Sequence, residues 1–157
     1  MNPAKATVTP SEEAVSPMCI NLQMLRASHY ILKAYDEAYR PFGVRATQIP
    51  VLAVLARLQP ASIRSIADEM ESERSVISRK LQVMEKCGWI REDANSTGRE
   101  KTFVLSAKGR ELIENVKPAR LSVQKQLMSL LNEDEQQLLM SLCGKLRTHT
   151  LTTEDER

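Results

Sequence analysis

Between Arg74 and Leu105 the chain changes its hydrophobic period once, and a glycine stands near the change. In the first part Ile77, Leu81 and Met84 fall at i, i+4 and i+7, the spacing of a buried helical stripe. Ser75, Ser78, Arg79, Gln82 and Lys86 fall at i, i+3, i+4, i+7 and i+11 on the other side. That face carries hydroxyls, an amide and cations, but no acid. Such groups suit a major groove, where hydroxyls and Arg meet phosphates and Arg and Gln bond base edges. They equally suit an ordinary solvated helix face, so the surroundings must decide. Gly88 can end the helix at a left-handed cap, and Trp89-Ile-Arg-Glu92 reads as a strand.

The next residues, Asp93-Ala-Asn-Ser-Thr-Gly-Arg-Glu100, are polar and turn-rich and predict a loop. Lys101-Thr-Phe-Val-Leu105 is β-branched and apolar and predicts a returning strand. Upstream, Ser62 to Met70 predicts a short helix with Ile63, Ile66, Ala67 and Met70 on one face. Two short helices joined by a tight turn and followed by a β-hairpin make a winged helix–turn–helix.

A wider pattern surrounds that unit. Thr47-Gln48 precedes Val51-Leu-Ala-Val-Leu55. Then come Ile66-Ala67, Ser78-Arg79, Met84-Glu85, Gly88, Arg91, Arg99 and Leu105-Ser-Ala-Lys-Gly109. In this order and spacing they resemble the MarR family of bacterial transcription regulators, over about residues 18 to 149. The resemblance implies a DNA-binding homodimer whose wing-tip Arg, here Arg99, enters the minor groove. The family usually carries Asp-x-Arg at that tip, whereas this chain reads Thr97-Gly98-Arg99. The Arg is kept and the Asp is absent.

The flanks predict two long helical regions. Residues 18–40 supply Met18, Leu22, Leu25, Ile31, Leu32 and Tyr35 as apolar positions, with Pro41 and Gly43 ending the run. Thr47 is expected to cap the following helix, with Pro50 in its first turn. Ser106 is expected to cap a helix from Lys108 to about Leu131, with Pro118 inside it as a kink. Asn132-Glu-Asp-Glu135 should cap a last helix striped by Leu138, Leu139, Leu142 and Leu146. These long helices carry more apolar surface than a small winged core can cover. The economical solution is a twofold dimer, whose paired recognition helices would read a pseudo-palindromic site. The alternative is that the long helices pair within one chain.

The expected fold is therefore mainly α with a small β-hairpin wing: a winged core (about 44–105) flanked by dimerisation helices (about 18–40 and 106–149). Residues 1–16, rich in Pro, Thr, Ser, Ala and Glu, read as a loose arm before a single domain over 17–157. Aromatic residues make up 4% of the chain, so its core must be aliphatic and Met-rich. No run approaches the roughly 18 apolar residues of a membrane span. The first residues lack the order of a secretory leader, and a cytoplasmic protein is expected. Residues 74–101 hold seven cations and four acids, a local +3, against three cations and six acids in 132–157. That polarity supports a nucleic-acid partner.

Catalytic and metal-binding patterns are missing. Cys19, Cys87 and Cys143 are odd in number and far apart, with no C-x-x-C, and His29 and His149 are isolated. No nucleophile context, phosphate loop or carboxylate pair stands out, so neither an enzyme nor a cofactor is expected. The leading reading is a repressor that contacts double-stranded DNA through Arg74, Ser75, Ser78, Arg79, Lys80, Gln82, Arg99 and Lys101. The resemblance implies release by a small aromatic or anionic effector near the first helix, where Arg26, His29 and Tyr30 could hold a phenolate or carboxylate. Two alternatives stand beside it. Cys19 begins the first helix, where the helix dipole favours a thiolate; its position resembles that of the sensing Cys in the organic-peroxide branch of the family, which would make the chain a redox sensor. The winged helix could instead be a protein-interaction adaptor, against which the cation-rich face of the Arg74 helix argues.

Overall fold

The structure is a computed structural model that describes residues 19–96 and 101–148. Six helices and three short strands follow in the order α1 (Ile20–Tyr39), a single 3-10 turn (Arg40–Phe42), α2 (Ile49–Leu58), β1 (Ala61–Ser62), α3 (Ile63–Glu69), α4 (Arg74–Lys86), β2 (Ile90–Glu92), β3 (Thr102–Leu105), α5 (Ala107–Met128) and α6 (Glu133–Thr148). Helices α2 to α4 and the strands form the winged helix–turn–helix.

Capping chemistry sets most of these boundaries. The Ser62 hydroxyl accepts the Ser65 N–H at 3.2 Å and starts α3. Ser106 does the same for α5 through the Gly109 N–H at 3.0 Å. Asn132 and Glu135 form a reciprocal box, Glu135 N–H to Asn132 Oδ1 at 3.0 Å and Asn132 N–H to Glu135 Oε2 at 2.8 Å. Gly88, at φ 74°, ends α4 in a left-handed turn; the Trp89 N–H reaches the Met84 carbonyl and the Gly88 N–H that of Glu85. Glu71 ends α3 in the same way at φ 48°, an unusual conformation for a side chain with a Cβ.

Three sequence expectations are corrected. Thr47 is not the cap of α2: Gln48 takes that position, and its Oε1 reaches back to the Arg45 N–H at 2.8 Å. Helix α5 ends at Met128, not near Leu131, because the Ser129 hydroxyl bonds the Gln126 carbonyl and the chain turns. The sheet has a third strand, β1, paired antiparallel to β3 with Ala61 opposite Phe103, giving the order β1-β3-β2. Pro118 lies inside α5, which continues through it even though proline has no N–H for the Glu114 carbonyl.

Burial divides the chain. Leu52, Leu55, Ile66, Ile77, Leu81 and Met84 are almost wholly enclosed where α2, α3 and α4 meet beneath the sheet, and Trp89, Phe103 and Leu105 close the core from the wing side. Helix α1 packs on α5, yet Ile20, Leu25 and Ile31 remain 66%, 65% and 43% exposed. On α6, Leu138, Leu139, Leu142 and Leu146 are 58%, 41%, 46% and 60% exposed.

Two features join the regions. A Cβ on Gly109 would lie 2.0 Å from the Trp89 carbonyl oxygen, so α5 starts directly against the end of α4. At the far end of α6, Arg147 makes a two-pronged pair with Glu71 in the turn between α3 and α4, its Nε 3.2 Å from Oε2.

Candidate nucleic-acid interface

Helix α4 turns two unlike faces to its surroundings. Ile77, Leu81 and Met84 are at most 1% exposed. Opposite them Ser75, Arg79, Gln82 and Lys86 are exposed, with Ser78 and Lys80 half-buried at the edges; Arg74, in the first turn and at i−3 from Ile77, is exposed on the other side. The face thus reaches solvent on a helix anchored by its own core stripe. Arg74 and Arg79 make no ion pair or hydrogen bond with any described residue. Lys80 is engaged: its Nζ donates to the Thr47 carbonyl at 3.2 Å and ties α4 to the segment before α2.

Beside α4 the base of the wing is fastened at several points. Lys101 Nζ lies 2.8 Å from Glu92 Oε2 across the two strands. That hydrogen bond, and then the Glu92 charge, raise the Lys101 ammonium above its ordinary pKa, so it stays a cation. Ser96 Oγ accepts the Thr102 N–H at 3.1 Å, and the Asp93 N–H donates to the Thr102 carbonyl at 2.8 Å. Arg99 and the Thr97-Gly98 that precede it lie outside the described residues. A helix bearing guanidinium groups that have no partner among the described residues, with a stitched hairpin base beside it, can pair with phosphates and present donors to base edges.

Residues 42–100 match the family model described as the MarR family. An uncharacterised helix–turn–helix-type transcriptional regulator of Bacillus cereus is 27% identical over 130 residues, covering 82% of this chain and 87% of that protein. A MarR/EmrR family transcriptional regulator of Acinetobacter sp. ADP1 superposes with a TM-score of 0.70 at 25% identity, over 81% of this chain and 91% of that one. By its winged lobe and by these relatives the chain is similar to the MarR family. The proteins it resembles are transcription regulators. The M. tuberculosis regulator MosR, solved in complex with DNA, has the same fold at a TM-score of 0.70 and 28% identity, over 82% of this chain and 96% of that one.

Two clefts flank α1. The polar one, about 720 Å³, is lined by His29, Lys33, Asp36, Arg40 and Arg45 among others. Asp36 is committed there, accepting the Ala46 N–H at 2.7 Å and pairing with Arg45 at 3.4 Å. The second cleft, about 610 Å³, opens among α1, α2 and α5 and is lined mainly by apolar side chains, with Tyr35, Tyr39, Glu114, Lys117 and Arg120 as its polar groups; Lys117 pairs with Glu114 at 3.7 Å. Burial, followed by Tyr35, pushes the Tyr39 phenol above its ordinary pKa, while the Arg120 charge pulls it back.

Of the three effector residues expected from sequence, His29 lines the polar cleft, and Arg26 and Tyr30 line neither. Tyr30 stands 71% exposed with its ring edge-on to His29. Sequence reading missed Tyr35, Tyr39, Lys117 and Arg120. The Tyr pair at i, i+4 was a local signal, but nothing local joins it to cations some 80 residues later. Cys19 is the half-buried N-cap of α1, and Cys87 and Cys143 are also half-buried free thiols. None of the helices described is long and apolar enough to cross a membrane.

Proposed function

We propose that this protein is a MarR-family homodimeric repressor that binds a pseudo-palindromic operator and is released by a small anionic aromatic molecule. One observation carries the DNA reading: the outward face of α4 holds exposed Arg79, with no partner among the described residues, beside Ser75, Gln82 and Lys86, and Arg74 is exposed at the start of the same helix. Arg79, Ser75, Ser78 and Gln82 face base edges. Arg74, Lys80 and Lys101 meet phosphates, with Lys80 exchanging the Thr47 carbonyl for DNA, and Arg99 enters the minor groove from the wing. The winged lobe is about 44–105, and the dimer forms through about 18–40 and 106–149, where the bare leucines of α6 and apolar residues of α1 supply the contact.

The test is selection of duplexes from a random pool, followed by affinity measurements at several salt concentrations. Twofold-symmetric sites with half-sites about one helical turn apart are expected. Arg79→Ala should cost about 1–3 kcal/mol per half-site and relax preference at one symmetric position. Selected sites without symmetry, or full affinity in Arg79→Ala on every sequence, would overturn this reading.

For the effector, the cleft of Tyr35, Tyr39, Lys117 and Arg120 is favoured over the residues expected from sequence. It combines apolar walls with the Arg120 guanidinium and the Tyr35 and Tyr39 phenols, while Lys117 is offset by its pair with Glu114; an aromatic carboxylate needs apolar walls and a cation of this kind. A panel of phenols and aromatic acids is expected to contain a compound that lowers DNA affinity, with a weaker effect on Arg120→Ala.

A further inference from the structure

Helix α4 carries two valines that its own fold does not use. Val83 is 47% exposed, although the other apolar residues of the helix are at most 1% exposed (Ile77, Leu81, Met84) or, in the case of Val76, half-buried. Neither Val76 nor Val83 belongs to the core cluster or packs against it, whereas half-buried Cys87, at the end of the same helix, does. A β-branched side chain is also a poor choice for an outward helix position, because it loses rotamer freedom without gaining contacts.

Their placement is specific. Counting about 100° per residue, Val76 and Val83 lie on one edge of the face centred on Arg79 and Lys86, with Arg79 between them in sequence at i+3 and i−4. They are two turns apart, about 10.5 Å along the helix, close to three base-pair steps of about 3.4 Å. The opposite edge holds Ser78 and Glu85 and offers no apolar group. Arg79, which has no partner among the described residues, and exposed Lys86 fit this surface to DNA rather than to an apolar protein partner. Within a major groove, one group rewards an apolar contact: the C5-methyl of thymine.

We propose that Val76 and Val83 read thymine methyl groups, adding a shape-based preference to the hydrogen bonds made from Arg79 and Gln82. This rests on the proposed entry of α4 into the major groove. Removing one methylene-sized contact weakens binding about fourfold, so loss at a symmetric pair of thymines should weaken it about fifteen-fold.

The experiment uses the full chain and its selected operator, with each symmetric pair of thymines replaced in turn by deoxyuridine. This removes the methyl and leaves every base-edge donor and acceptor in place. Wild type is expected to lose about fifteen-fold at one or two such pairs. Val83→Ala should bind thymine and uracil duplexes equally at one of them, and Val76→Ala at the other. Unchanged melting temperatures would show that the variants fold, as their exposed positions predict. Equal affinity of wild type for thymine and uracil at every position would overturn the proposal. So would a thymine preference left intact in Val76→Ala/Val83→Ala, or an operator with no thymine under α4. A wild type that selects no duplex at all would instead remove the major-groove reading itself, an outcome distinct from uracil tolerance.

Discussion

Helices α4 and α6 carry apolar stripes of similar sequence pattern and opposite fate. On α4 the stripe is sealed by α2, α3 and the sheet, with Leu81 at 1% exposure. On α6 the stripe of Leu138, Leu142 and Leu146 stands bare, and the helix packs extensively against no other described element. Periodicity tells which side of a helix avoids water; it does not tell whose atoms cover that side. For α4 the cover lies within about 30 residues on either side of the helix. For α6 the described chain leaves Leu138, Leu142 and Leu146 58%, 46% and 60% exposed, and this is the strongest physical argument for a second copy.

The largest expected effect tests that contrast directly. Leu81→Ala should cost about 2–5 kcal/mol by leaving a cavity in the lobe, at any protein concentration. Leu142→Ala should lower the melting temperature by an amount that depends on protein concentration, because its cost is paid through association. Denaturation of both variants across a hundredfold dilution separates the cases. Equal, concentration-independent losses would mean that α6 is covered within one chain.

A smaller effect is expected at the seam between the regions. Gly109→Ala places a Cβ 2.0 Å from the Trp89 carbonyl oxygen, so backbone must move. The expected cost is about 1–3 kcal/mol, the range of overpacking, read by chemical denaturation. Because the strain falls where α5 meets the end of α4, DNA affinity should fall beyond what the unfolded fraction explains. A variant with wild-type stability and affinity would show that the seam is loose.

The smallest effect concerns the pair that joins α6 to the turn before α4. The Arg147 guanidinium, first by hydrogen bonding and then by its charge, holds the Glu71 carboxyl below its ordinary pKa. A carboxylate depressed in the folded state contributes stability that is complete above its unfolded pKa and is lost as pH falls through the folded value. Glu71→Gln should therefore melt slightly below wild type near neutral pH, and the gap should close as pH falls below about 4. Both partners are exposed, so added salt should shrink the gap as well. A gap that is independent of pH would assign the loss to the side chain's hydrogen bonding rather than to its charge.

What was legible in the sequence was local. Ser106, the Asn132–Glu135 box and Gly88 act within four residues, and each does in the structure what its type and position predicted. The two faces of α4 follow from spacing alone. Thr47 misled because Gln48 competes for the same turn with a longer side chain that reaches the Arg45 N–H. Strand β1 is only two residues long and exists through its pairing with β3, some 40 residues later. The cleft of Tyr39 and Arg120 needs α1 laid against α5, and no periodicity encodes that pairing.

The cap at Ser106 has a mechanical consequence. Its hydroxyl sits 2.6 Å from the Gly88 carbonyl and 3.0 Å from that of Trp89, while Lys108 Nζ bonds the Cys87 carbonyl at 2.8 Å. One end of α5 is thus bolted to the final turn of α4, and the two move as a single bent lever. A rod of 22 residues is about 33 Å long. A tilt of roughly 6° about the bolted end sweeps the far end through about 3.4 Å, one base-pair step. In a dimer joined at the far ends, the angle of this lever sets the distance between the two α4 helices like the opening of a pair of calipers.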